Sequence, residues 1–342
     1  MEKMEKIYFK TKSLSVILLL VLLALVPGKA MADELSSYYY TKEDGKAAQL
    51  STLSGYSFAK VESSTTTFSN KTVYVVTEDV EISDRITCGT DVILVLLDGK
   101  NMNAKNGITV EGDNSITITS GGSSETIEGT GNLLATTSEA NDGEDNAAIG
   151  GTAGKDCGSV TINGGTVEVY SSASPVVYGA GIGGGGNVGG DGGSGGTITI
   201  TGGKVTAYSS KNREGYGAGI GGGGGSKEGD GGSGGIITIT GGTVTAYSSK
   251  NRDGYGAGIG RGGPLRDEDN GDTLYILGNA VVEAKGDSAI YCNTAKASAE
   301  DLPCKVEYDG VEWLEKGEVN LLNFKGLCIA AHNPFYVQKN VM

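Results

Sequence analysis

Two rows of tyrosine are the residues whose type and spacing best suit chemistry. Tyr170, Tyr208 and Tyr247 recur at one place in a repeated segment, and Tyr178, Tyr216 and Tyr255 recur at another. Exposed rings at regular spacing stack on the apolar faces of sugars, and each phenol adds a hydrogen-bonding hydroxyl. The same spacing also fits tyrosines that pack on one another as a ladder, so both readings stand. Lys211, Arg213, Lys250 and Arg252 follow the first row as a basic stripe. Guanidinium groups such as Arg213 and Arg252 suit a bidentate grip on the carboxylates of acidic glycans. Their neighbours Glu214 and Asp253 equally suit local ion pairing, which carries little energy at a surface.

Asp191 and Asp230 hold matching places in two glycine loops, each followed by Gly-Gly-Ser-Gly-Gly. A carboxylate among free loop carbonyls is a calcium-type ligand set, so calcium is the one cofactor the sequence raises. The calcium-binding β-roll nonapeptide carries a large apolar residue two places after its aspartate; here Gly193 and Gly232 stand there. Asp142, Glu144 and Asp145 form a second acidic loop. The runs 183–186 and 221–225 are pure glycine but lack the lysine and following helix of a phosphate-binding loop.

Catalysis needs one constellation of groups with different roles. This chain offers the same groups once per repeat, which suits an array that binds or scaffolds. A polysaccharide lyase would need a basic residue beside an acidic calcium cluster, and no grouping stands out from the repeat; a lyase remains the enzymatic alternative. The only histidine is His332, and the five cysteines are Cys88, Cys157, Cys292, Cys304 and Cys328. Cys292 and Cys304 flank a short polar loop and are candidates for a bridge. The net charge of −14 argues against nucleic acid, whose phosphates demand a basic surface, and against an anionic membrane.

The elements that must position these residues are strands. Thr197-Ile198-Thr199-Ile200-Thr201-Gly202-Gly203-Lys204-Val205-Thr206-Ala207-Tyr208 returns 39 residues later as Ile236-Ile237-Thr238-Ile239-Thr240-Gly241-Gly242-Thr243-Val244-Thr245-Ala246-Tyr247. An earlier copy begins at Val160, and fainter copies begin near Ile116 and Leu274. The period-two alternation of β-branched residues predicts half-buried strands, with Gly-Gly as the turn between them. One row of Ile and Val per strand cannot make a core alone; stacked copies can. The fold class is therefore all-β, a parallel β-helix with glycine-rich loops. One wide coil or two narrow coils per repeat both fit. The Thr-Ile-Thr strands also suggest the flat threonine ranks of an ice-binding solenoid, but only two good copies exist and other strands break the rank with Glu168 and Lys204.

The remaining chain divides by composition. Residues 1–32 read as a secretory signal peptide: Lys3, Lys6, Lys10 and Lys12, a short apolar run, then Ala30-Met31-Ala32 as a small-residue exit. The apolar run is shorter than the ~20 residues of a membrane span, so no span is expected after cleavage. Residues 33–70 read as a polar leader and 71–148 as the first solenoid coils. Residues 149–263 are the glycine-rich repeats, 264–305 a degenerate last repeat, and 306–342, with Trp313, a cap.

The segment 73–110, with Asp98-Gly99-Lys100 and Gly107-Ile108-Thr109-Val110, is followed by Gly-Ala-Gly-Ile-Gly repeats. Together they resemble a group of secreted bacterial parallel β-helix proteins over roughly residues 70–300. The resemblance implies a surface or carbohydrate-binding protein, and some β-helix relatives bind pectin-like acidic polysaccharide with calcium. The expectation is an exported, extracellular or cell-surface, non-catalytic protein whose partner is a polysaccharide or another surface ligand. The alternatives are a purely structural or adhesive solenoid and, less favoured, a lyase.

Overall fold

The computed structural model describes residues 30–127, 130–137, 145–171, 176–210, 214–248, 256–264, 272–277, 280–285, 290–291, 294–298, 303–308, 311–316, 319–320 and 327–330. The chain winds as a parallel solenoid, each coil giving one strand to each of three faces. In the central coil these are Thr197–Ile200 on the first face, Lys204–Ser210 on the second and Ile220–Gly221 on the third. The next coil repeats them as Ile236–Ile239, Thr243–Tyr247 and Ile259–Gly260. The 39-residue repeat is thus one wide coil, and its glycine run is the loop between the third face and the next first face.

The register is residue on residue. Ile116, Val160, Ile198, Ile237 and Leu274 stack in one inward column. Val167, Val205, Val244 and Val282 stack in a second, and Ile149, Ile182, Ile220, Ile259 and Ile290 in a third. All of them are buried. A single outward row alternates with each inward row because strand side chains switch face at every residue. The Ile-Gly strands are short because their glycines sit under the next coil. Gly183 and Gly221 have φ of +138° and +134°, and a Cβ there would lie 1.8 and 1.9 Å from the carbonyl oxygen of Gly221 and Gly260.

Residues 33–70 are more than a leader. Ser57–Lys60 pairs in parallel with Thr72–Val76, and Thr67–Phe68 with Ile86–Cys88, so the ladders begin inside this segment. The strands Thr72–Val76 and Val92–Leu97 are buried on both sides. Their outward residues Val73, Val75, Ile93, Val95 and Leu97 form a second core with Leu35 and Leu50. Tyr39–Thr41 then pairs antiparallel with the Gly121-Gly122 end of Ser115–Gly122. At the other end, Val319–Asn320 and Leu327–Ala330 add antiparallel to Thr294–Ser298 and Val281–Lys285, terminating the first and second ladders. An open sheet edge templates further pairing, and these strands occupy it.

Candidate functional site

The glycine loops carry the site, and close backbone packing forms them. Gly262 N–H donates to Gly232 O, Gly232 N–H to Gly223 O, Gly223 N–H to Gly193 O, and Gly193 N–H to Gly185 O, at 2.7–3.0 Å. This chain of bonds crosses three coils without a side chain, so the loops themselves are a layered backbone core. The segments bearing Tyr178 and Tyr216 lie against it. Gly186 N–H donates to Asp145 O, Gly224 N–H to Tyr178 O and Gly263 N–H to Tyr216 O. A Cβ on Gly224 would come within 2.3 Å of Tyr216 Cβ, so glycine there gives the tyrosine its seat.

The Tyr178 and Tyr216 rings stack with centroids 4.9 Å apart and planes 4° from parallel. Tyr216 is 8% exposed, and Tyr178 is half-buried. With Val188, Asp191, Ser226, Lys227 and Glu228 they line an open groove of about 690 Å³. Val188 is a large apolar lining side chain left 62% exposed. Its N–H donates to Asp145 Oδ2 at 3.3 Å. Asp191 Oδ1 accepts the N–H of Asp230 from the next coil at 2.9 Å, so this carboxylate also clamps two loops together.

The other tyrosine row lies outside the groove. Tyr170, Tyr208 and Tyr247 stand in register on the outer side of the second face, half-buried. Tyr208 and Tyr247 stack at 5.1 Å and 27°; the next position in the column is Lys285. In both stacked pairs the ring faces are turned to each other, so between the paired rings a ligand meets edges and not faces. Tyr255, Arg213 and Arg252 lie outside the described residues, as do Lys211, Lys250, Asp142 and Glu144. Asp191 and Asp230 are brought together through a backbone bond. Among the described residues, no three His, Cys, Asp or Glu side chains converge as metal ligands.

Val188, Lys227 and Glu228 are groove residues that the repeat pattern conceals, because they are where the two glycine loops differ. Each was nonetheless visible as a large or charged side chain interrupting a glycine run. A further pair is buried beyond the groove. Arg261 Nε lies 3.8 Å from Asp272 Oδ2, with the two side chains 2% and 0% exposed. Asp272 accepts hydrogen bonds from Ser233 Oγ and from Gly234 N–H, the latter at 3.1 Å. Arg261 stands where earlier coils have Gly184 and Gly222, positions closed to side chains by the carbonyls of Gly193 and Gly232.

Cys88 and Cys157 are buried free thiols. Burial pushes both up to about 12, which removes the thiolate that a nucleophile needs.

With this geometry in place, the repeats can be matched to known sequences. Residues 160–186, 198–224 and 237–260 match the beta helix repeat model, one match for each of three successive coils. The chain is a parallel β-helix. Neither a curated protein nor a solved structure matches it. The three matched segments of the β-helix each start on the first face and end at or just after the Ile-Gly strand, so they span one coil apart from most of its glycine loop.

Proposed function

We propose that this β-helix is an exported, non-catalytic surface protein that binds polysaccharide in the groove walled by Tyr178 and Tyr216. The groove is the observation that carries the reading. It is lined by residues of two successive coils and mixes one exposed apolar side chain, Val188, with two tyrosines and charged groups. Sugar sites have that composition: an apolar patch for the ring face and a few polar groups for orientation. Two carboxylates, Asp191 and Glu228, stand against one ammonium, Lys227. That balance favours a neutral, hydroxyl-rich glycan over a polyuronate, which would need calcium to bridge carboxylate to carboxylate.

The test is a glycan array with pull-down on insoluble polysaccharides, with and without calcium. Tyr178→Ala and Val188→Glu are expected to lower retention at least tenfold while circular dichroism keeps the β signature. Retention of acidic glycans only when calcium is present would replace the neutral-glycan reading with a metal-bridged one. Silence across the panel from folded protein would favour the structural surface solenoid, which the ring-on-ring packing of both tyrosine rows supports.

A further inference from the structure

The first face carries a second regular surface that the groove does not use. Thr117, Thr161, Thr199 and Thr238 form one outward column, paired directly from coil to coil without a register shift. Ser159 and Thr197 flank it on one side, where the next coil has Ile236, 51% exposed, and Thr201 and Thr240 flank it on the other, all partly or fully exposed. Thr201 Oγ1 donates to Asn163 Oδ1 at 2.8 Å, tying two coils at the margin. No outward position of these coils on this face is charged, on a protein of net charge −14. Glu168 and Lys204, which in the linear sequence interrupt the threonine pattern, belong to the second face, where they project outward beside the tyrosine row.

The array is stiff as well as neutral. Threonine has few χ1 choices on a strand, and the residues between the threonines, including Ile162, Ile198, Ile200, Ile237 and Ile239, are fully buried and anchor each strand to the core. Hydroxyls therefore repeat at ~4.8 Å along the axis and ~6.6 Å along each strand. Each hydroxyl shares its carbon with a methyl group, so the surface alternates hydrogen-bonding and water-excluding points on one fixed grid. A flexible solute gains little from such a grid, whereas a crystal of water presents a matching periodic surface of donors and acceptors. A charge would orient its own hydration shell and spoil the order, and the four threonine coils carry none on this face; the column reaches Lys296 only beyond Tyr275. Sugar binding would want an aromatic platform, and the column meets a ring only at its end, where Tyr275 follows Thr238.

We propose that the threonine columns of the first face bind the surface of ice. The site is separate from the groove, so failure of either reading leaves the other standing. The experiment freezes a dilute solution of the full chain slowly around a cold finger together with a non-binding reference protein, and follows grain coarsening in a polycrystalline film. Wild-type protein is expected to be enriched severalfold in the ice fraction relative to the reference and to arrest coarsening. Thr199→Lys, at the centre of the array, is expected to lose both effects. Thr199→Val, which keeps the shape and removes the hydroxyl, tests the site without a charge and is expected to weaken them. Thr206→Lys on the second face and Tyr178→Ala in the groove are expected to retain both. Exclusion of the wild type from ice would overturn the proposal. So would equal loss in Thr199→Lys and Thr206→Lys, or retention on crystalline cellulose or chitin that Thr199→Lys abolishes without any enrichment in ice.

Discussion

Tyr178 and Tyr216, one coil apart, lie ring on ring, 4.9 Å between centroids and only 4° from parallel. Stacked aromatic pairs contribute roughly 0.5–1.5 kcal/mol beyond the area they bury. Tyr216 is also 8% exposed, so its removal opens a cavity as well as breaking the stack. Tyr216→Ala is expected to cost about 3 kcal/mol, toward the lower end for aromatic truncation. Tyr208→Ala, half-buried on the second face, should cost less, and Tyr216→Phe less than about 1 kcal/mol. Denaturant unfolding of the three variants checks the order. A larger loss in Tyr208→Ala than in Tyr216→Ala would mean that the second-face row carries the main ladder.

The Ile-Gly strands set the closest approach between coils. Gly221→Ala would place a methyl group 1.9 Å from Gly260 O at a φ of +134°. Steric overlap and backbone strain together are expected to cost about 3 kcal/mol or more. Gly189→Ala, whose Cβ would meet nothing closer than Asn187 Oδ1 at 3.7 Å, should fall within about 0.5 kcal/mol of wild type. Thermal melts of the pair separate glycine kept for packing from glycine that merely fills a loop.

How far the sequence could be read follows from the same distinction. The inward columns were legible because Ile198, Ile200, Val205 and Ala207 alternate with polar residues and return in every coil. Coil width was not legible, since a glycine run carries no periodicity and its hydrogen bonds run between coils. The polar look of residues 33–70 concealed Leu35, Leu50 and Phe58, which cover Val73, Val75 and Val95. The unbroken apolar run 92–97 was the available sign that this strand is buried on both faces. Tyrosine spacing located both rows but could not say whether rings face solvent or each other. Glu168 and Lys204 break the threonine rank in the linear sequence but not on the first face, because the sequence does not show where one face ends and the next begins.

Arg85 ties three coils with one side chain. Its Nε donates to Thr109 Oγ1 at 2.6 Å, Nη1 to Asn106 O at 2.8 Å and Nη2 to Ala147 O at 2.9 Å. Burial draws its pKa down to about 10, which still leaves the guanidinium charged at neutral pH. Arg85→Met would leave two partly buried carbonyls without their donor and is expected to cost on the order of 2 kcal/mol. Arg85→Lys keeps the charge but loses the planar fork, and should recover only part of that loss. Hydrogen exchange around residues 104–109 and 147–149 is the direct readout, with faster exchange expected there before global unfolding.

The two buried thiols predict both a reactivity and a pH dependence. Cys88 and Cys157 are pushed up to about 12 from the ordinary thiol value, first by desolvation, with Glu111 and Asp156 adding to the rise at Cys157. At pH 8 a thiol of that acidity is thiolate in only about one molecule in ten thousand, so both should resist alkylation in the native protein and react once guanidinium unfolds it. Peptide mapping of the labelled sites distinguishes them from the other three cysteines. The sign of the linkage follows from the raised values. The folded state binds more protons than the unfolded state between the two pKa values, so stability from these groups is fully present below about 9 and is lost as pH rises toward about 12. Cys157→Ser would bury a hydroxyl near Glu111 and confuse the comparison. Cys157→Ala is therefore the variant of choice, and its stability should fall less steeply than wild type over that alkaline window.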